Sequence, residues 1–114
     1  INGAEAAEAT LKAMANVLNA ELSEFDRAAR IQKGEFAVIF FDKNKKKAIE
    51  FTERIIRSIS KSSFAKFGGG ELTVSIGLSE NPLDGMTAQD LYSKAQARTR
   101  VSGQKGKNRI EAFD

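Results

Sequence analysis

The chain has 114 residues, 41% of them apolar and 29% charged, and its formal net charge is +3. These values are typical of one globular domain that is long enough to bury a single core. Because the sequence contains neither Cys nor His, it excludes disulfides, catalytic thiolates, imidazole bases and the usual kinds of zinc site. Its longest apolar run, Phe36–Phe41, is much shorter than a membrane-spanning helix, which needs about 20 residues.

The first half of the sequence predicts a helix, a hairpin of two strands and a second helix. Apolar residues recur at helical spacing in residues 4–22 and again in residues 45–62, which indicates two amphipathic helices. Between them, residues 27–31 and the apolar run 36–41 predict two strands joined by a tight turn at residues 32–35. Because the second strand lacks polar residues, we expect it to be buried on both faces.

The second half predicts a loop, a strand, a third helix and a short final strand. Residues 60–70 end in a run of glycines, which stops the second helix and favours a flexible loop. Apolar residues alternate over residues 72–77, and Thr87 with Asp90 resembles a capping box that opens a helix. Ile110 and Phe113 indicate a short last strand. This order of elements predicts an α/β (α+β) sandwich, in which a mixed sheet with an antiparallel hairpin is flanked by helices.

Three ordered segments carry one family pattern. Residues 26–39 read DRAARIQKGEFAVI and resemble D-x-x-x-R-x-G-G-D/E-E-F-A-V-[IL], with departures at positions 32–34, while residues 72–77 read LTVSIG and resemble V-T-V-S-I-G. Residues 95–110 match A-D-x-A-L-Y-x-A-K-x-x-G-R-N-R-V in part and end in GKNRI. Together the segments resemble the GGDEF (diguanylate-cyclase-like) family over nearly the whole chain, and they imply its nucleotidyl-cyclase-like fold. The glycine run at 68–70 lies where the family has only a loop, and we interpret it as a connection.

The resemblance implies a reaction that this sequence is poorly equipped to perform. In the family, facing subunits each bind GTP, and Mg²⁺ held partly by a carboxylate at the third signature position assists formation of cyclic di-GMP. Here the signature positions read Gln32, Lys33, Gly34, Glu35 and Phe36. Gly34 has no side-chain oxygen for a hard cation, and the side chains of Gln32 and Lys33 replace glycines that let the nucleotide approach. We therefore expect no catalytic residue and no metal ligand in this signature, and a core role for Phe36.

Other family positions are also changed. Gly103 stands where the family has a lysine that contacts phosphates, Gln96 replaces the usual Asp, and Arg100 replaces the usual Tyr. The inhibitory R-x-x-D site keeps only Asp26 as a remnant, because Ser23 replaces its arginine. A carboxylate without its cationic partner is poorly suited to binding an anion, so we expect no product feedback through this site.

Five positions remain candidates for nucleotide binding. Glu8 lies at the family's guanine-reading Asp position in the first helix, and Glu35 survives in the signature. Lys33 offers a cation at the turn, and Lys107 and Arg109 lie in the basic segment that matches G-R-N-R. The resemblance implies that Glu8 and Glu35 face a guanine if a nucleotide binds. The family pattern does not call for Lys33, and this lysine is a candidate, with Lys107 and Arg109, because basic side chains attract phosphates.

The family pattern also predicts a boundary. Family members begin with a strand that carries D-x-D-x-F-K and supplies further metal ligands, and nothing before Ile1 matches it. We therefore expect residues 1–114 to be a single degenerate GGDEF domain, truncated at its N-terminus from a longer protein. On this expectation the chain has no cofactor, and Mg²⁺ binds only if the preceding strand supplies its ligands.

These losses favour a catalytically inactive, bacterial and cytoplasmic GGDEF-type domain that acts as a regulatory, docking or nucleotide-sensing module in cyclic di-GMP signalling. The expected partners are another protein or a fused sensor or effector domain, a second copy of the chain, and weakly bound GTP or cyclic di-GMP. One alternative is an enzyme, either a divergent, active diguanylate cyclase or a relative that hydrolyses GTP or ATP. It would need carboxylates from the preceding strand, with Glu8 and Glu35 as the local contributors. Another is a basic nucleic-acid-binding module, which the sequence disfavours because single-strand binders add exposed aromatics whereas Tyr92 falls on the apolar helix face.

Overall fold

The structure, a computed structural model, describes residues 3–32, 34–61, 66–67 and 70–114. Within these ranges the elements follow the predicted order of helices and strands. They are α1 (Gly3–Glu21), β1 (Arg27–Gln32), β2 (Glu35–Ile39), α2 (Lys45–Lys61), β3 (Lys66–Phe67), β4 (Gly70–Glu71), β5 (Ser75–Gly77), α3 (Ala88–Lys105) and β6 (Arg109–Glu111). The short strands β3 and β4 occupy part of the stretch that the sequence predicted to be a loop.

The strands pair in both directions, as the predicted fold class requires. β1 pairs with β2 and β3 with β4 in antiparallel register, whereas β5 and β6 run parallel. In the described part of the chain these pairs form separate two-stranded sheets rather than one continuous sheet. The chain divides into two compact units, a first unit of Ile1–Asp42 with Arg57–Leu72 and a second unit of Lys43–Ile56 with Thr73–Asp114.

Helix α2 carries a buried face at the predicted spacing. Ala48, Phe51, Ile55 and Ile59 are at most 7% exposed, and they recur every three or four residues along one side of the helix. None of the helices among the described residues is long and apolar enough to cross a membrane.

Strand β2 differs from its prediction. It ends at Ile39 instead of Phe41, and these two side chains are 57% and 71% exposed. The expectation of a strand buried on both faces was therefore wrong. Along β2 the side chains from Glu35 to Val38 are only half-buried, and that of Ile39 is exposed. An apolar run indicates strand propensity, but its burial depends on what packs against it.

Helix α3 lies directly against β5 in the second unit. A Cβ atom at Gly77 would overlap the carbonyl oxygen of Ala95 and the amide nitrogen of Thr99, so only glycine permits this approach. The predicted cap of α3 is confirmed, because the Thr87 side chain accepts a hydrogen bond of 3.0 Å from the amide of Asp90.

The polar positions of α3 are less regular than its sequence suggested. Tyr92, which was expected on the apolar face, is 39% exposed, and the Gln96 amide donates to its hydroxyl at 3.3 Å. Arg98 and Ser102 occupy the buried face instead. The prediction for Tyr92 was wrong because a helix with a mixed pattern can bury polar groups where partners are available.

Those partners form a charge cluster around Arg98 in which Lys45, Asp84 and Arg98 are at most 10% exposed and Asp114 is 67% exposed. Its guanidinium donates to the carbonyl oxygen of Leu78 at 2.7 Å and to the carboxylate of Asp84 at 3.0 Å. The Asp84 carboxylate also pairs with the ammonium of Lys45 at 2.8 Å, and Asp114 accepts from Arg98 at 3.1 Å. Hydrogen bonds from Arg98 and Lys45 hold the pKa of Asp84 far below its usual value. This cluster ties the start of α2, the loop before α3 and the end of the chain together.

Candidate functional site

The five signature positions, 32–36, span the turn between β1 and β2. Gln32 ends β1 directly opposite Glu35, which begins β2, and the Gln32 amide donates to the Glu35 carboxylate at 3.3 Å. Gly34 has a φ of +77°, and apart from its two chain neighbours no described residue has a heavy atom within 4 Å of the place where its Cβ would stand. Lys33 lies outside the described residues. The third signature position therefore presents only its backbone to solvent.

This turn does not offer what a magnesium ion requires. Mg²⁺ prefers an octahedral set of oxygens, usually including one or two protein carboxylates, and Gly34 contributes no side chain. Over the described ranges no three acidic side chains lie close enough together to hold a metal ion. Gly34 therefore supplies no side-chain ligand for the Mg²⁺ that the family signature implies, and no catalytic step is assigned to a metal at this turn.

Glu8 projects from α1 and meets Arg30 of β1. The two Nη atoms of Arg30 reach the two carboxylate oxygens of Glu8 at 2.9 and 3.3 Å. These hydrogen bonds lower the pKa of Glu8 and raise that of Arg30. Both side chains remain partly open to solvent, with exposures of 37% for Arg30 and 49% for Glu8. The candidate guanine-reading carboxylate is thus already occupied by a bidentate partner.

A cleft of about 170 Å³ opens between α1 and the β1–β2 hairpin in the first unit. Most of its wall is apolar, and Lys12, Asn19 and Arg30 supply the polar groups. The remaining lining residues are Leu11, Ala15, Leu18, Ala28, Ala29 and Phe36. Phe36 is only half-buried, so it contributes to this wall as well as to the packing of the first unit.

Asp26 has a local structural role. Its side chain is buried, and Oδ2 accepts hydrogen bonds from the backbone amide and the hydroxyl of Ser23, at 3.0 and 2.9 Å. These bonds close the turn between α1 and β1. The remnant of the inhibitory site therefore lies inside a turn, with Oδ2 engaged by the serine that replaces the family's arginine.

The basic candidates at the other end of the sequence belong to the second unit. Lys107 is exposed, and Arg109 is half-exposed with Glu111 at 3.7 Å. Glu111 also pairs with Lys105 at 3.0 Å. A Cβ at Gly103 would lie 3.3 Å from the Ser75 hydroxyl, which shows how closely this part of α3 follows β5. The site candidates thus fall into two groups, with Glu8 and Glu35 in the first unit.

Sequence reasoning missed two features of this site. The first is the pairing of Glu8 with Arg30, which brings together residues 22 positions apart. The second is the cleft, whose walls come from the middle of α1 and from both strands of the hairpin. A signal for the second was present in Ala28, a small residue two positions before Arg30 and so on the same face of its strand, where it leaves space opposite a helix.

Comparison with known proteins agrees with the fold and with the sequence pattern. The family model described as "Diguanylate cyclase, GGDEF domain" matches residues 2–109. An EAL/GGDEF domain protein from M. capsulatus is similar in structure, with a TM-score of 0.77 and 23% identity over 94% of this chain and 70% of that one. The GGDEF domain of PA1120 (YfiN or TpbB) from Pseudomonas aeruginosa has a TM-score of 0.83 and 22% identity, covering 96% of this chain and 70% of that one. No curated protein sequence matches the chain.

Proposed function

Because the chain belongs to the GGDEF family, we propose that it is a catalytically inactive member that acts as a regulatory, docking or ligand-sensing module. Membership of this family implies a role in cyclic di-GMP signalling. On this proposal the chain takes part in signalling without synthesising cyclic di-GMP. It acts by binding a protein partner or a ligand of the first unit.

The single observation that carries this proposal is the turn at Gly34. Phosphoryl transfer depends on positioning and on neutralising charge with metal ions. A residue with no side chain, at a φ of +77° and open to solvent, supplies neither a metal ligand nor a positioned acid or base. Loss of a positioned acid or base alone typically slows a reaction by about 10²–10⁴-fold.

The occupied carboxylate of Glu8 supports the same proposal. A side chain that reads guanine accepts hydrogen bonds from the base, and both oxygens of Glu8 already accept from Arg30, so a guanine has to compete with this pair. The hydrogen bond between Gln32 and Glu35 engages the surviving signature acid in a similar way. We therefore favour docking of another protein, or binding of a different ligand, over nucleotide sensing as the basis of the regulatory role.

Incubation of the purified chain with GTP and Mg²⁺ tests the proposal. We expect chromatography to detect no cyclic di-GMP, whereas an active GGDEF domain assayed in parallel forms it. Calorimetric titration with GTP and Mg²⁺ then separates the two kinds of regulation, because docking predicts no heat of nucleotide binding. Formation of cyclic di-GMP above the enzyme-free background would overturn the proposal.

A further inference from the structure

We propose that the cleft of the first unit binds a small amphipathic carboxylate, such as an aryl carboxylate, whose charged group takes the place of Glu8 on Arg30. The inference rests on the proposed function, since it gives a non-catalytic domain a ligand to sense. It concerns the middle of α1 and the strands of the hairpin. None of the described turn residues Gln32, Gly34 and Glu35 lines this cleft.

The size and wall of the cleft define the apolar part of the ligand. Its volume of about 170 Å³ is below the roughly 300–1,000 Å³ of pockets for drug-sized ligands. The largest apolar group that the cleft would enclose is a single ring or a short hydrocarbon chain. Leu11 and Leu18 from α1 face Ala28 and Phe36 from the hairpin across this space, so the body must be apolar.

The polar residues of the cleft define the charge of the ligand. Lys12 and Arg30 both line it and are exposed, and the Asn19 amide adds a neutral donor. Glu8 balances only one of these two positive charges, which leaves the cleft a net attractor of anions. A ligand with one negative charge and an apolar body would satisfy both properties of the site.

The existing ion pair shows why a carboxylate is favoured over other anions. The Arg30 guanidinium already holds a carboxylate by two parallel hydrogen bonds of 2.9 and 3.3 Å, the geometry in which arginine recognises this group best. Glu8 is 49% exposed, so it returns to water at little cost when a ligand displaces it. The carboxylate of Glu8 therefore occupies the binding position on Arg30 and can exchange with the carboxylate of a ligand.

Titration of the ¹⁵N-labelled chain with benzoate, followed by amide chemical shifts, tests this inference. We expect saturable shifts at residues 11–19 and 28–30, and weaker binding of the neutral analogue benzyl alcohol. Arg30→Gln should weaken benzoate binding about tenfold, which corresponds to loss of one charge-assisted interaction. Lys12→Gln should weaken it by a smaller factor, and Glu8→Gln should strengthen it because the competitor is removed.

Matched variants keep the test specific. Arg27→Gln alters the same strand without touching the cleft, since the Arg27 guanidinium bonds to the carbonyl oxygens of Glu24 and Asp26. Lys46→Gln removes an exposed helical lysine elsewhere. Both should bind benzoate as the unaltered chain does. If Arg30→Gln fails to fold, Lys12→Gln and the opposite sign of Glu8→Gln still decide the outcome.

The results that would overturn the inference are distinct from those that would overturn the proposed function. Absence of saturable benzoate shifts, or equal effects of Arg30→Gln and Arg27→Gln, would refute the carboxylate site while leaving the absence of synthesis intact. If Glu8 instead reads a guanine, Glu8→Gln would weaken GTP binding and would not strengthen benzoate binding. Failure of the proposed function is seen separately, as cyclic di-GMP formed from GTP and Mg²⁺ without benzoate.

Discussion

Each unit of the molecule contains an arginine–carboxylate pair, and the two pairs differ in their access to water. Arg30 and Glu8 of the first unit meet at 2.9 Å with exposures of 37% and 49%. Arg98 and Asp84 of the second unit meet at 3.0 Å with exposures of only 5% and 10%. Because the two distances are nearly equal, the pairs differ in the solvent exposure of their side chains and not in the distance between them.

This difference predicts opposite uses of the same chemistry. Exposed pairs contribute little to stability, because water solvates both partners well when they separate. Breaking a buried pair leaves a charge without water or a partner, which is strongly destabilising. The first pair is thus available to exchange with a ligand, whereas the second holds α2, the loop before α3 and the chain end in place.

The largest expected effect is on Arg98. Arg98→Ala removes one of the two cations that hold Asp84, together with the hydrogen bonds to Leu78 and Asp114. Lys45 remains beside Asp84, and we expect the free energy of unfolding to fall by about 2–3 kcal/mol. Denaturant unfolding measures this change. Arg100→Ala, on an exposed position of the same helix, should change it by only about 0.5 kcal/mol or less. Equal losses in the two variants would break the comparison.

The second-largest expected effect is a dependence of folding stability on pH, caused by Asp84. The pKa of Asp84 is lower in the folded chain than its usual 3.8, so the unfolded chain binds a proton that the folded chain does not. Stability contributed by this group is present at neutral pH and is lost as pH falls below about 4 towards the folded-state pKa. Asp84→Asn should reduce stability at pH 7 and flatten its decline between pH 5 and 3. An unchanged slope in chemical denaturation over this range would contradict the assignment.

A smaller effect is expected at the exposed turn. Gly34→Ala places a Cβ at a φ of +77°, where there is open space but an unfavourable backbone conformation, and should cost about 1 kcal/mol. Gly34→Asn should cost less, because asparagine tolerates this region. Gly103→Ala in α3 is the control, since a gain in helix propensity offsets its close contact with the exposed Ser75 side chain. Thermal unfolding that ranks Gly103→Ala below Gly34→Ala in stability would be inconsistent with a strained turn.

The smallest effect should follow loss of the exposed pair. Arg30→Ala removes both hydrogen bonds to Glu8, yet the melting temperature should stay close to that of the control Arg27→Ala. The same variant loses its carboxylate ligand, so binding changes while stability does not. If Arg30→Ala lowered the melting temperature as much as Arg98→Ala, the exposed pair would be structural and the comparison would fail.

The element order and the family were predictable because they depend on local pattern. Helical spacing located α1, α2 and α3, and the Thr87 cap fixed the start of α3 within one residue. The degenerate turn was predictable as well, since a match to D-x-x-x-R-x-G-G-D/E-E-F assigns Gly34 to the third signature position without any knowledge of packing.

The remaining features depend on contacts between distant residues. Lys45, Asp84, Arg98 and Asp114 form one cluster although they are spread over most of the second unit. The one available signal was an arginine at position 98 on the side of α3 that packs against β5, since a buried cation needs a carboxylate partner. The exposure of Ile39 could not be inferred, because the apolar sequence of a strand does not show whether another element packs against its side chains.

The central claim is that the turn at Gly34 cannot hold a divalent metal beside a triphosphate. Paramagnetic Mn²⁺ added to the ¹⁵N-labelled chain with a non-hydrolysable GTP analogue tests it directly, because amide signals close to a bound ion broaden. We predict that signals of Gln32, Gly34 and Glu35 stay as sharp as those of an exposed stretch such as Lys46–Lys47. Selective loss of the turn signals at low Mn²⁺ concentration would contradict the account.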